Sequence, residues 1–264
     1  MSEPFRKSGR PDADPDFFAA EAAGLRWLAQ AGAPVVEVLA VTDDSIELVR
    51  LSGARPTVDA ARRFGVSLAR MHDAGAARFG SPPPGYHGRQ FIGRRRLSST
   101  EYDSWGAFYA NERVLPYLEP AVRARNLTAA DDDDVRAACE LIAAGVFDDD
   151  DPPARIHGDL WSGNVMWTPA GVVMIDPAAH GGHRETDLAM LALFGCPLLE
   201  TILDAYTSAR PLVDGWRGRV PLHQLHPLAV HAAGHGPSYG VELGRAARAT
   251  LELGRAPQLT DGRR

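Results

Sequence analysis

The sequence predicts an α+β protein of two unequal lobes, a small β-rich one over residues 1–53 and a mostly helical one over residues 54–264. Two observations carry that expectation. The β-rich runs Val35 to Val41 and Ser45 to Leu51 give way at Leu51-Ser52-Gly53 to a different composition, and from Thr57 onward apolar residues recur at helical spacing. A chain of 264 residues is long enough to give each lobe its own core.

In order along the chain, residues 3–7 read as the end of a strand leading into the turn Ser8-Gly9-Arg10-Pro11. Asp14-Pro15 reads as a helix cap followed by proline at the first helical position. The helix after it, about Asp16 to Gln30, sets Phe18, Ala22, Leu25 and Leu28 on one stripe, with Glu21 the only acid between Phe17 and Gln30. A carboxylate on so apolar a surface needs a cation if buried, and needs nothing if it faces solvent. Thr42-Asp43-Asp44 has the composition of a hairpin turn between the two β-rich runs. Ala61, Phe64, Leu68 and Met71 mark a buried helical face, and Phe79 to Arg96 reads as an irregular surface segment. Helices resume near Trp105 to Leu118 and Asp131 to Ala144. The acid runs Asp131–Asp134 and Asp148–Asp151 lack the alternation and turn glycine of a calcium loop and read as solvated.

Composition narrows the function. A formal net charge of −6 argues against a nucleic-acid or anionic-membrane partner. No apolar run approaches the length of a bilayer span, and the residues after Met1 lack the apolar core of a secretory signal. Two cysteines, Cys139 and Cys196, do not make a disulfide framework, and the reading is cytoplasmic. Among 28 Lys plus Arg there is a single lysine, Lys7. Codon bias toward arginine accounts for it; the sharper alternative is a position that needs a compact ammonium, which suits a phosphate oxygen.

The chemistry concentrates in Ile156-His157-Gly158-Asp159-Leu160-Trp161-Ser162-Gly163-Asn164, followed by Val165-Met166-Trp167, a turn, the apolar run Val172 to Ile175, and Asp176-Pro177. Two short strands joined by a tight turn pair antiparallel, which sets Asn164 beside Asp176. The loop just upstream delivers Asp159 to the same mouth. An amide oxygen and a carboxylate are suitable hard ligands for Mg²⁺, and a second carboxylate orients a hydroxyl and accepts its proton. The Asp159-to-Asn164 spacing matches the catalytic loop of protein kinases, with Asp176 in the place of the metal-binding aspartate that follows. Polar caps on a metal-free hairpin would look similar, although without both apolar strands in register. His157 lacks a metal-site partner, and no Gly-x-Ser-x-Gly elbow occurs, so it reads as holding the loop through backbone contacts. His223, His226, His231 and His235 read as scaffold or surface residues.

His157-Gly158-Asp159-Leu160-Trp161-Ser162-Gly163-Asn164, Ile175-Asp176-Pro177-Ala178 and Gly182-His183-Arg184-Glu185 closely resemble the fructosamine kinase (ketosamine-3-kinase) family, which belongs with the aminoglycoside and choline kinases. Phe18-Ala19-Ala20-Glu21-Ala22, Leu68-Ala69-Arg70-Met71-His72, Phe91-Ile92-Gly93 and Leu193-Phe194-Gly195 extend the resemblance from about residue 5 to about residue 245. It implies a protein-kinase-like two-lobed fold and a phosphotransferase using ATP and Mg²⁺ on the 3-hydroxyl of a sugar-amine, free or as glycated lysine. By the same resemblance Asp159 is the base, Asn164 and Asp176 hold Mg²⁺, and Lys7, paired with Glu21, contacts the nucleotide phosphates. Adenine meets the connector from Val49 to Leu51, while Trp161, His183, Arg184 and Glu185 lie toward the sugar-amine. Six residues before Lys7 are too few for the two strands and glycine-rich loop that family members place there, so a truncated N-lobe beside a mostly helical C-lobe is expected. Two alternatives follow: a non-catalytic pseudokinase, or a kinase of another small hydroxyl compound such as an aminoglycoside.

Overall fold

A computed structural model describes residues 3–9 and 14–255. Strand β1 (Phe5–Ser8), helix α1 (Asp16–Gln30) and strands β2 (Val38–Val41) and β3 (Ser45–Leu48) come first. The strands form an antiparallel sheet in the order β1–β3–β2, with Lys7 opposite Ile46. Alternation along the central strand sends Ile46 and Leu48 to one face, where they pack with Val36 against Phe18, Ala22 and Leu25 of α1. Burial of each such aliphatic side chain contributes roughly 1.5–3 kcal/mol. Both strands are shorter than the sequence suggests because their outer residues find other partners. Val36 N–H donates to Met174 O at 3.0 Å, and Val49 N–H donates to Glu37 O at 3.0 Å. Asp14 accepts the Asp16 N–H at 3.1 Å, as a capping acid should. Of the expected turn after β1, Gly9 N–H donates to Asp44 O at 2.7 Å, whereas Arg10 and Pro11 lie outside the described residues.

The rest is mostly helical. Helix α2 (Val58–Asp73) is capped by the Thr57 side chain, which accepts the Ala60 N–H. The segment expected to be irregular contains a small hairpin, β4 (Gln90–Ile92) with β5 (Arg95–Leu97). Arg89 fastens it to the start of α1, at 2.7 Å from Asp16 and 2.9 Å from Asp14. The single helix expected near Trp105 to Leu118 is broken into α3 (Trp105–Phe108), a π-turn (Tyr109–Val114), a 3₁₀ turn (Leu115–Tyr117) and α4 (Leu118–Arg123). Pro116 explains the break, since it lacks an N–H and its ring crowds the carbonyl one turn back. Helix α5 (Ala129–Ala143) precedes the strands β6 (Ala154–Ile156), β7 (Val165–Thr168), β8 (Gly171–Met174) and β9 (His180–Gly182). Helices α6 (Arg184–Leu193), α7 (Leu199–Ala209), α8 (Trp216–Ala232) and α9 (Pro237–Arg255) close the fold. No helix among the described residues is long and apolar enough to cross a membrane.

Neither acid run is simply solvated. Arg248 binds Asp131 at 2.9 Å and Asp134 at 2.8 Å, and Asp149 and Asp151 fold in against His183 and Arg184. The site is positioned by two antiparallel pairs, β6 with β9 and β7 with β8. Met174 at the end of β8 also takes part in the bridge to Val35, so the hairpin is stitched to the first layer as well as to its own partner.

Candidate active site

The loop that carries Asp159 leaves β6 at His157 and is fixed from below. Asp187, fully buried on α6, accepts the His157 N–H at 2.7 Å and the Gly158 N–H at 2.9 Å. His72 Nε2 donates to the same carboxylate at 3.1 Å, and His72 Nδ1 lies 2.8 Å from the Tyr206 hydroxyl. Burial alone would raise the Asp187 pKa, but these bonds hold it below the ordinary carboxylate value. Gly158 has a φ of +78°, and a Cβ there would stand 2.3 Å from Ala178 O, so only glycine fits. The His157 ring spans the loop, donating from Nε2 to Ile175 O at 3.0 Å and accepting the Asp159 N–H at Nδ1 at 3.3 Å. That arrangement agrees with a loop-holding role for His157.

A 3₁₀ turn (Ser162–Asn164) then brings Asn164 back to Asp159. Asn164 Nδ2 donates to Asp159 O at 2.7 Å and to Asp159 Oδ2 at 3.0 Å, which commits the amide's donors and leaves its oxygen as the remaining polar atom. Ile175 N–H donates to Asn164 O at 3.1 Å, so Asp176 follows at once beside Asn164. Asp176 has a φ of +56°, an uncommon conformation for any residue but glycine and less favourable still before a proline. Such strain is held in place by the paired strands on either side and concentrates at functional sites. Burial pushes the Asp159 pKa up to about 7, with Asp176 and Asp187 adding to the effect.

Lys7 reaches the same place from β1. Its Nζ donates to Glu21 Oε1 at 2.7 Å and also contacts Asp176 Oδ1. Burial alone would lower the Lys7 pKa, but the two carboxylates outweigh it and hold it above the ordinary value. Burial raises Glu21, only partly offset by the lysine. The lone lysine and the one acid of α1 beyond its first residue are therefore one ion pair.

Two clefts open on either side of this group. One, of about 370 Å³, is lined by Glu21, Asp159 and Asn164 with Phe17, Phe91 and Trp161. The other, of about 300 Å³, is lined by Phe5, Val36, Val49, Leu51, Met166 and Ile175. Lys7 and Asp176 line both. Trp161 is 37% exposed, and its indole lies over Gly163, where a Cβ would come within 2.2 Å of the ring.

The structure does not bring His183, Arg184 and Glu185 to the cleft. All three are buried. His183 caps α6 by accepting the Glu185 N–H and stacks on His223 at 4.9 Å. Arg184 binds Asp151, and Glu185 receives Arg219 Nε at 2.9 Å. Burial favours the neutral acid at Glu185, but hydrogen bonds from His223 and Arg219 take its pKa down to about 2. The segment is polar because it neutralises itself inside the protein. Conversely, sequence reasoning missed Asp187, His72 and Gln90, which donates to Ala179 O at 2.9 Å behind the larger cleft. A signal for Asp187 existed: it shares a helical stripe with the buried Leu191.

The class comes first from the fold. A choline/ethanolamine kinase family protein from Mesorhizobium loti superposes with a TM-score of 0.57 at 17% identity, covering 97% of this chain and 84% of that one, which fixes a protein-kinase-like architecture of mixed helix and sheet. Nearer likenesses fix the family. The fructosamine kinase family matches residues 5–252. The chain is 30% identical to the "probable ketoamine kinase" of Enterococcus faecium over 235 residues, 88% of this chain and 82% of that one. The crystal structure of a "putative fructosamine-3-kinase" from Thermobifida fusca superposes with a TM-score of 0.88 at 46% identity over 94% of this chain and 85% of that one. The chain belongs to the fructosamine kinase family and is a phosphotransferase.

Proposed function

We propose that the protein transfers the γ-phosphoryl group of ATP to the 3-hydroxyl of a ketosamine, free or formed on a lysine side chain. The observation that carries this reading is that two clefts meet at Lys7 and Asp176, while Asp159 lines only one of them. Donor and acceptor thus enter from opposite sides of one charged group.

The nucleotide belongs in the smaller cleft, where Phe5, Val36, Leu48, Met166 and Ile175 make an apolar slot for a flat base beside the Val49 to Leu51 backbone. The lobe boundary falls near residue 53, where Ala54 N–H donates to Trp167 O at 2.7 Å. Lys7, oriented by Glu21, supplies a positive charge to the phosphates. Asn164 and Asp176 fit Mg²⁺: both offer hard oxygens, the amide of one with its donors already committed and the carboxylate of the other 44% exposed. When bound, the ion neutralises charge on the phosphate oxygens.

The acceptor hydroxyl gives its proton to Asp159. Oδ2 is tied to Asn164, so Oδ1 is the oxygen that takes it. The acceptor oxygen bonds to the γ-phosphorus as the bond to the β–γ bridging oxygen breaks, and ADP leaves. A carboxylate titrating near 7 is a better base than an ordinary one and is still available at neutral pH. Asp187 and His157 keep it placed, so that catalysis rests on position and charge rather than on a covalent intermediate.

The test is to incubate the protein with ATP, Mg²⁺ and fructosyl-lysine and locate the phosphate by phosphorus–proton correlation NMR. One ester at O3 per ADP formed is expected. The 3-phosphate is an unstable adduct that breaks down with release of the amine (deglycation), so an ester at another hydroxyl, or ADP with neither an O3 ester nor released amine, rejects the assignment.

A further inference from the structure

Trp161 begins a strip of aromatic rings that phosphoryl transfer itself does not use. Its ring edge meets Phe194 with centroids 5.9 Å apart, and Phe194 lies 5.1 Å from His231 and 6.3 Å from Tyr239. His231 is in turn 4.9 Å from Tyr239 and 5.1 Å from His235. These residues come from the catalytic loop, the end of α6, the end of α8 and the start of α9, yet the rings form one continuous row. None is fully buried, and His235 is exposed. His231 Nδ1 donates to Pro227 O at 2.7 Å, which fixes the middle ring. A row of fixed, partly open rings adjoining a cleft is a binding surface rather than a core.

Among the described residues, two other sides of the cleft have contacts of their own. On the α1 side Phe17 and Phe91 meet at 5.4 Å, and Arg89 is drawn onto Asp14 and Asp16. On the β1 side stand Lys7 and the nucleotide cleft. Trp161 lines the cleft and continues into the row at Phe194, which gives a group extending from the acceptor a surface to follow.

We propose that the row Trp161–Phe194–His231–Tyr239 seats the amine-bearing part of the acceptor, a lysine stem and the peptide that carries it. The proposal rests on the ketosamine reading and names its substrate class: an amine substituent long enough to leave the cleft. In a ketosamine only three carbons separate the nitrogen from the 3-hydroxyl oxygen, so a hydroxyl held at Asp159 keeps the nitrogen inside the cleft that Asp159 and Trp161 both line. Aromatic faces attract a secondary ammonium and pack on the methylenes of the stem. Burial pushes His231 below its ordinary pKa, so its ring is neutral near pH 7 and does not repel that ammonium. Arg95, donating to Ala233 O at 2.6 Å next to Gly234, offers a donor to peptide carbonyls at the far end.

The experiment compares KM for a short peptide carrying fructosyl-lysine with KM for fructosyl-methylamine, in the wild type and in Phe194→Ala, Tyr239→Ala and Tyr239→Phe. In the two alanine variants the ratio of peptide to small-acceptor KM should rise about tenfold, the scale of a lost aromatic anchor, and Tyr239→Phe should restore it. KM for ATP, read in the same assays, reports an intact fold. A ratio that stays at the wild-type value in both alanine variants overturns the strip while leaving the phosphotransferase reading standing. A wild-type protein that phosphorylates neither acceptor overturns both.

Discussion

Two clusters that each set cations against carboxylates have opposite fates. Lys7 is shared between Glu21, largely buried, and Asp176, 44% exposed and lining both clefts. Glu185 and Arg219 are matched inside the protein, and so are Arg184 and Asp151. An ion pair with one solvent-facing member can exchange that partner for a ligand. A pair set mostly inside the protein does so at greater cost, because a charge left without its partner there loses much of its compensation for desolvation. The first cluster is therefore poised for chemistry and the second for stability.

The contrast is broken most forcefully at Glu185. Glu185→Ala removes the carboxylate that Arg219 and the buried His223 share and should destabilise the protein by about 1.5–3 kcal/mol, seen as a fall in the chemical-denaturation midpoint, with turnover per folded molecule retained. Lys7→Met should act mainly on turnover: kcat/KM falls by about 10²–10³, the scale of one lost donor at a developing charge, while the denaturation midpoint falls less than in Glu185→Ala, because Glu21, already held above its ordinary pKa by burial, takes up a proton when the lysine is gone. An activity loss in the first or a large stability loss in the second would merge the two clusters into one.

Acid sharpens the same contrast. The folded pKa of Glu185, about 2, lies below its ordinary 4.5. Its contribution is then complete above about pH 4.5 and is lost as pH falls toward 2. Stability measured against pH should lose part of that acid limb in Glu185→Gln. The smallest effect is expected at Arg248, whose pairs with Asp131 and Asp134 lie at the surface: Arg248→Ala should leave the denaturation midpoint close to that of the wild type.

What the sequence disclosed and what it hid follow from the range of the interactions. The strand–turn–strand around Asn164 and Asp176 was legible because a hairpin is local and its register dictates which residues become neighbours. α1 and its isolated acid were legible for the same reason. The pairing of Lys7 with Glu21 came from family resemblance, since nothing local links a strand residue to a helix residue fourteen positions on. Asp187 was hidden because its value lies in two amides 29 and 30 residues upstream. His183, Arg184 and Glu185 were misplaced because polarity in a motif does not say whether the motif faces a ligand or its own counter-charges. Asp149 and Asp151, part of an acid run that looked solvated, turn out to be among those counter-charges.

The central claim is that Asp159 takes the acceptor's proton. Asp159→Asn keeps the shape of the side chain and changes only its ability to do so. Single-turnover transfer from ATP to fructosyl-lysine should slow by about 10²–10⁴ in this variant, with ATP affinity and denaturation midpoint close to wild type. A single-turnover rate equal to the wild type's would remove Asp159 from the chemistry.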